Sequence, residues 1–275
     1  MTAIAEETAS AAGGKHVAVI GFGAMGRAVT TSLAARGGPA LIRTALLRQG
    51  SAAPLPDDVT RVTSVDDLIA ARPDLVVEGA THEAVATSVP ALLAAGIDVV
   101  IASVGALGKP EIHAAVIQAA ARGGSRAIVA TGAIGGLDAL RSAACAGLSS
   151  VLYTGIKPAA AWTGTPAEEV LDLGALTAPA TFFEGTAREA AERFPKNANV
   201  TAAVALAGVG FDATRVRLVA DVAGGNRHEV SAQGPFGSFH IALTNAPLPA
   251  NPKTSWLAAL SVEQAILRQF QHLEA

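Results

Sequence analysis

The stretch Gly21-Phe22-Gly23-Ala24-Met25-Gly26 constrains this chain more than any other, because of what flanks it. Before it runs the short, largely apolar segment His16-Val17-Ala18-Val19-Ile20, and after it comes Arg27-Ala28-Val29-Thr30-Thr31-Ser32-Leu33, which has helical spacing. A strand, a tight glycine turn and a helix in that order form a dinucleotide-binding fingerprint. The first glycine permits the turn, the second lets the backbone approach a pyrophosphate, and the third lets the helix pack closely on the sheet. Gly21, Gly23, Ala24, Met25 and Gly26 are therefore predicted to hold the phosphates at a helix N-terminus. Glycine turns also arise for steric reasons alone, so the weight lies in the placement between strand and helix.

The same alternation continues. Leu41–Leu47 reads as a second strand, and Arg72-Pro73-Asp74 introduces a third at Leu75–Glu78. A helix is predicted over Glu83–Ala95, ended by Gly96, then a strand at Asp98–Ala102, a helix at Pro110–Arg122 and a strand at Ala127–Thr131. Strands alternating with helices imply right-handed crossovers and a covered parallel sheet. The expected fold class is α/β, a Rossmann-type doubly wound parallel sheet over residues 15–136, joined to a second α+β domain over 137–253 for substrate binding.

In that second region Ser150–Thr154 reads as a strand, while Thr165–Glu169 and Ala187–Phe194 read as short helices. Arg215–Asp221, Arg227–Ala232 and Ser238–Thr244 are β-rich and separated by Gly224-Gly225 and Gly234-Pro235, which suggests consecutive antiparallel strands. The last segment, 254–272, is amphipathic and is expected to return to the first lobe, with the active site between the lobes.

A hydrophobic fraction of 51% against 16% charged residues supplies a core, and the aromatic fraction of 4% says it is built from Ala, Val, Leu and Ile. A net charge of −3 without a basic block gives no electrostatic reason to expect nucleic acid or an anionic membrane, so the expected partner is a small molecule. Cys145 is the only cysteine, which excludes an internal disulfide and a cysteine metal cluster; its alanine neighbours suggest a buried helix face. Residues 1–14 carry neither a basic start nor an apolar centre and read as a disordered tail. No apolar run reaches the roughly 18 residues of a membrane span, and the expected location is the cytoplasm.

Cofactor choice is usually read at the end of the second strand. There Ala45-Leu46-Leu47-Arg48-Gln49-Gly50 has no carboxylate for a ribose hydroxyl, while Arg48 can pair with a 2′-phosphate, so either NAD or NADP is accommodated. A solvated surface arginine is the bland alternative. The strand ends Glu78-Gly79-Ala80-Thr81-His82 and Ala102-Ser103-Val104-Gly105 carry short residues, Ala80 and Ser103 among them, that can line the nicotinamide ribose. Thr131–Gly136 is either a third such edge or a set of helix-packing glycines. Trp162, with Gly164 and Pro166, reads as a loop over the cleft or as a buried anchor.

Several separate blocks resemble the L-aspartate dehydrogenase family. They are Ala102–Leu107, Lys157-Pro158 with Trp162–Glu168, Pro195-Lys196-Asn197-Ala198-Asn199-Val200, Asn226-Arg227-His228 and Asn251–Ser255, with the run Phe194–Arg217 especially close. The resemblance implies an enzyme that oxidises L-aspartate with NAD(P)+ to iminosuccinate, which hydrolyses to oxaloacetate and ammonia, reversibly, and in many organisms feeds NAD biosynthesis. It also implies a homodimer, a catalytic role for His228, and contacts of Ala133 and Asn199 with the dinucleotide. Arg48 departs from relatives with an acidic residue there.

The chemistry sets its own requirements. Hydride leaves Cα only from a neutral amine, so the site needs a base and cations for two carboxylates. His228 is expected to accept a proton from the amine or from the water attacking the imine, and Lys196, with Asn197, to bind substrate carboxylate. His82 and His240 remain candidate neighbours, and no spacing suggests a metal site. Two rival readings stay open: a dehydrogenase of another small amino or hydroxy acid, and a nucleotide sensor without catalysis.

Overall fold

The computed structural model describes residues 14–272, so the predicted tail lies outside the described residues apart from Gly14. The chain divides into two compact units. Among the described residues the first takes in 14–103, Ala114–Val129 and 262–272; the second takes in Val104–His113 and Ala130–Ser261.

The first sheet is built from β1 (Lys15–Ile20), β2 (Ala40–Leu46), β3 (Thr60–Val62), β4 (Leu75–Glu78), β5 (Val99–Ile101) and β6 (Ala127–Val129). Between them lie α1 (Ala24–Arg36), α2 (Val65–Ala70), α3 (His82–Thr87), α4 (Val89–Ala94) and α5 (Pro110–Gly123). The strand order is β3-β2-β1-β4-β5-β6, with every neighbouring pair parallel. β4 and β5 are buried at every position, as strands covered on both faces must be. This is the expected doubly wound order, and it reverses between β1 and β4, where such sheets open a ligand crevice.

One predicted helix is two. The run Glu83–Ala95 breaks at Ser88, because Pro90 opens α4 and has no N–H to continue the hydrogen bonding of α3.

The second unit contains α6 (Leu137–Ala144), β7 (Ser150–Pro158), β8 (Ala180–Thr186), α7 (Ala187–Arg193), α8 (Ala198–Ala207), β9 (Arg215–Asp221), β10 (Asn226–Gly234) and β11 (Gly237–Asn245). A small hairpin, β12 (Pro247–Leu248) and β13 (Asn251–Ser255), leads into α9 (Trp256–Arg268). The sheet order is β11-β10-β7-β9-β8. β10 is antiparallel to β11 and to β7, β7 is parallel to β9, and β8 is antiparallel to β9.

Of the two predicted turns, Gly234-Pro235 closes a hairpin and Gly224-Gly225 does not, and the expected pairing of β9 with β10 is corrected: β7 lies between them. The link 222–225, with Gly224 and Gly225 at φ +77° and +94°, steps over the end of β7, a span of two strand spacings of about 4.8 Å.

On one face of this sheet Tyr153, Gly155 and Lys157 of β7 are flanked by Val216, Leu218 and Ala220 of β9 and by His228, Val230 and Ala232 of β10. α8, nearly all of it buried, packs against α6 and α7, and a Cβ on Gly208 at its end would meet both Leu140 of α6 and Val151 of β7 at 3.4 Å. Arg217, Glu229, Ser231 and His240 lie on the other face, half-buried or exposed.

The division also differs from a single cut after residue 136. The turn Val104–Gly108 goes with the second unit because it packs on α8, with Gly105 N–H donating to Asn199 Oδ1 at 2.9 Å. Residues from Ala130 join it too, through Gly132 N–H to Ser261 Oγ at 3.0 Å and Asn245 Nδ2 to Ala133 O at 2.7 Å. α9 is shared: its residues from Val262 belong to the first unit, where the buried Glu263 accepts from Arg36 Nε. Cys145 is not on a buried helix face; it caps the C-terminus of α6 and is exposed.

Candidate active site

In the first unit the three glycines of the β1–α1 turn meet three different surroundings. Gly21 has φ +85°, and a Cβ on it would lie 2.7 Å from the Cβ of Ala80. A Cβ on Gly26 would lie 2.8 Å from the carbonyl oxygen of Gly21, so α1 packs against its own turn. Gly23 faces open space, with nothing within 4 Å of a Cβ, and caps α1 without a side-chain hydrogen bond. The 13-residue helix thus begins with free N–H groups and no acidic residue in its first turn, an electropositive end open to a phosphate. This cradle fits a dinucleotide pyrophosphate.

The strand ends beside it are tied together by a carboxylate. Glu78, fully buried at the end of β4, accepts from the N–H groups of Ala80 at 2.8 Å, Thr81 at 3.1 Å and Ser103 at 2.9 Å, and from Ser103 Oγ at 2.9 Å. Burial raises its pKa and these four donors oppose the rise. Ala80 and Ser103 are thereby fixed, with the Ser103 hydroxyl engaged by the protein. Gly21 N–H donates to Leu46 O at 3.0 Å, which ties the glycine turn to the end of β2, and two residues on Arg48 is exposed.

The second unit brings together residues far apart in the chain. The β10–β7 register sets His228 opposite Gly155, between Tyr153 and Lys157 on the same face. Gly155 is required: a Cβ there would meet Tyr153 Oη at 2.9 Å and Leu218 at 3.2 Å. Across that gap Tyr153 Oη lies 2.7 Å from His228 Nδ1, with both residues only 2% exposed. His228 Nε2 is buried and has no hydrogen-bond partner in the protein.

Burial, and then the nearby Lys157 charge, lower the His228 pKa to about 3, while burial lowers that of Lys157 to about 8. The Lys157 ammonium donates to Asn197 Oδ1 and lies 5.4 Å from the centre of the Trp162 ring. Trp162 itself is a buried anchor, its Nε1 donating to Val219 O at 3.1 Å and its ring edge-on to Phe182 at 4.7 Å.

The predicted residues fall out as follows. Asn197, on the 3₁₀ turn Pro195–Asn197, joins the His228 group through Lys157. Lys196 is on the same turn, and its side chain lies outside what the structure describes. Asn199, one residue into α8, holds the turn after β5, and Ala133 is buried with its carbonyl taken by Asn245. His240 does not neighbour His228: it bonds Ser231 at 2.9 Å on the opposite face of the sheet. His82 opens α3 in the first unit.

Sequence reading named Glu78 and Lys157 without giving them a role and passed over Tyr153. Among the described residues no cluster of His, Cys, Asp or Glu could hold a metal ion, and no helix is long and apolar enough to cross a membrane.

The family profile "Aspartate dehydrogenase, C-terminal" matches residues 138–269, and "Homoserine dehydrogenase, NAD binding domain" matches residues 21–130. The L-aspartate dehydrogenase of Cupriavidus taiwanensis is 44% identical over 260 residues, covering 91% of this chain and 96% of that one. That of Ruegeria pomeroyi is 52% identical over 199 residues, covering 72% of each. The crystal structure of aspartate dehydrogenase from Thermotoga maritima matches with a TM-score of 0.75 at 25% identity, over 96% of this chain and 100% of that one. A hyperthermophilic archaeal homoserine dehydrogenase in complex with NADPH shares the fold, with a TM-score of 0.63 at 12% identity over 95% of this chain and 100% of that one.

Proposed function

Because this chain belongs to the aspartate dehydrogenase family, we propose that it oxidises L-aspartate with NAD or NADP to iminosuccinate, which hydrolyses to oxaloacetate and ammonia, and that it also runs in reverse. The observation that carries this reading is the buried His228 imidazole, whose Nε2 has no partner in the protein and which sits beside the half-buried Lys157 amine. A sensor of nucleotides has no use for such a pair.

Gly21, Gly23, Ala24, Met25 and Gly26 would hold the pyrophosphate, with Ala80 and Ser103 set by Glu78 to line the ribose side. Ala133 and Asn199 are assigned to the same ligand by resemblance to the family. When bound, the oxidised nicotinamide supplies the acceptor for the hydride that leaves Cα. Asn197, its Oδ1 occupied by Lys157, keeps its amide N–H groups for a substrate carboxylate, with Lys196 as the cation beside it in sequence. His228 is the catalytic histidine of the reading, turning Nε2 toward the reacting groups.

Location in the cytoplasm and assembly as a homodimer belong to the same proposal. The exposed thiol of Cys145 supports a reducing compartment, and light scattering on the purified protein is expected to give twice the 27.5 kDa chain mass.

The test is reduction of NAD+ and NADP+ by the purified protein with L-aspartate, L-glutamate, L-alanine, L-homoserine and malate in parallel. L-aspartate is expected to give the highest kcat/KM with at least one cofactor. Strong turnover of another member beside inert aspartate would overturn the substrate assignment.

A further inference from the structure

We propose that Lys157 takes the proton from the substrate ammonium, while Tyr153 holds His228 as a hydrogen-bond donor through Nε2. This rests on the reading of the chain as an L-aspartate dehydrogenase and assigns a residue to a step that the histidine was expected to perform.

The tautomer decides the matter. Tyr153 and a neutral His228 share one hydrogen bond, 2.7 Å from Oη to Nδ1, and each has one proton to place. If the imidazole donates through Nδ1, the buried phenol proton and the Nε2 lone pair are both left unpaired. If the phenol donates to Nδ1, only the Nε2–H is left, and substrate can receive it. Burial pushes Tyr153 well above the ordinary phenol range, so its proton is always present to make this bond. The second arrangement leaves fewer buried polar atoms unsatisfied and is favoured for that reason. An imidazole already protonated at Nε2, with Nδ1 covered by Tyr153, has no lone pair to offer.

Lys157 has one. Its stem lies on the same sheet face as His228, two residues along β7 from Gly155, and its nitrogen donates to Asn197 Oδ1. Among the described residues His228 and Asn226 of β10 share its sheet face, Asn197 accepts from it, and the Trp162 ring lies beside it. The carboxylate of Asp221 sits on the other face, 3.6 Å from Arg227, so no acid on its own face holds Lys157 in the charged form. Burial brings it to about 8, near enough to an alkyl ammonium at about 10 for the proton to pass in either direction.

The step balances simply: the N–H bond of the substrate ammonium breaks, a new N–H bond forms on the neutral Lys157 Nζ, and the positive charge moves with the proton. The substrate nitrogen then has the lone pair it needs to form the C=N bond. In the reverse direction Lys157 returns the proton to the amine.

The test compares the parent with Lys157→Met and Lys157→Arg. First, kcat/KM for L-aspartate is followed from pH 6 to 10. Second, the affinity for succinate, which has both carboxylates but no amine, is measured by calorimetry. Lys157→Met is expected to lose about 10²–10⁴-fold in kcat/KM, together with the limb near pH 8, and to bind succinate within about threefold of the parent. Lys157→Arg keeps a cation but cannot release its proton, and is expected to stay as inactive as Lys157→Met.

Recovery of turnover in Lys157→Arg, a retained pH limb in either variant, or a loss of succinate affinity that parallels the loss of turnover would overturn the proposal. Should Lys157→Met fail to fold, the pH limb of Lys157→Arg decides alone. A parent that does not turn over L-aspartate sinks the functional reading itself, whereas an active parent with active variants sinks only the role of Lys157.

Discussion

Two sites in this molecule are made from opposite materials. The glycine turn of the first unit is backbone: what it offers a ligand is the uncapped N–H groups at the head of α1, and its side chains matter mostly by being absent. The site of the second unit is side chain: a buried phenol, a buried imidazole and a half-buried amine, set on two antiparallel strands. The first is six consecutive residues, while Tyr153 and His228 are 75 positions apart. A backbone site can bind but offers no proton to move, whereas a buried side-chain site can move protons at the expense of keeping ionisable groups out of water.

If that division of labour holds, the largest effect comes from His228→Ala. It is expected to lower kcat/KM for L-aspartate by about 10²–10⁴-fold while leaving NADH affinity, read by fluorescence titration, within about threefold. A parallel loss of NADH affinity would break the comparison. Within the glycine turn the contrast is sharper still. Gly21→Ala puts a Cβ at φ +85° and 2.7 Å from Ala80, so both thermal stability and NADH affinity are expected to fall, the affinity by about 10–100-fold. Gly23→Ala meets nothing in the protein and is expected to leave the Tm unchanged, yet to weaken NADH by about tenfold because the methyl occupies ligand space. Unchanged affinity in Gly23→Ala would detach the turn from the dinucleotide.

The same contrast explains what the sequence could and could not reveal. The β1–α1 turn was legible because all its constraints are local, and the alternation after it dictated the parallel sheet. β3 and α2, short and weakly patterned, were not recognised, and the break before Pro90 was missed although the proline itself marks it. In the second unit Arg215–Asp221 is a strand over those same residues, but no local signal says that β7 separates it from β10. His228 came from resemblance to a family. Tyr153 needed the register of β7 on β10 and the missing Cβ of Gly155, and neither can be read before the sheet is assembled. The one available hint was alternation: Tyr153, Gly155 and Lys157 share a strand face by parity.

Acid sensitivity should separate the sites again. The folded-state pKa of His228 is about 3, against an ordinary value of 6.5, so between these values the unfolded chain binds a proton that the native imidazole refuses. Its contribution to stability is fully present above about pH 6.5 and is lost as the pH falls toward 3. At about 1.4 kcal/mol per pH unit, the loss by pH 5 is about 2 kcal/mol. His228→Gln, which cannot titrate, is expected to flatten denaturant-derived stability over this interval. Equal slopes in parent and variant would show that the native imidazole takes up its proton freely.

The smallest effect belongs to the edge of the backbone site. Arg48 is exposed beyond the end of β2, and the bond from Gly21 N–H to Leu46 O keeps that end beside the glycine turn. An exposed guanidinium meeting a 2′-phosphate is screened by water and salt, so the pair contributes about 0.5–1 kcal/mol, a factor of about two to five. Arg48→Ala is therefore expected to lower the ratio of NADP+ to NAD+ kcat/KM by about that factor, with the difference from the parent shrinking as salt is added. If turnover depends on the group in the second unit, as proposed, kcat with saturating NAD+ is expected not to change. A constant cofactor ratio would return Arg48 to the solvent, leaving discrimination to backbone and shape, while a fall in kcat would mean that the two kinds of site are less separable than their construction implies.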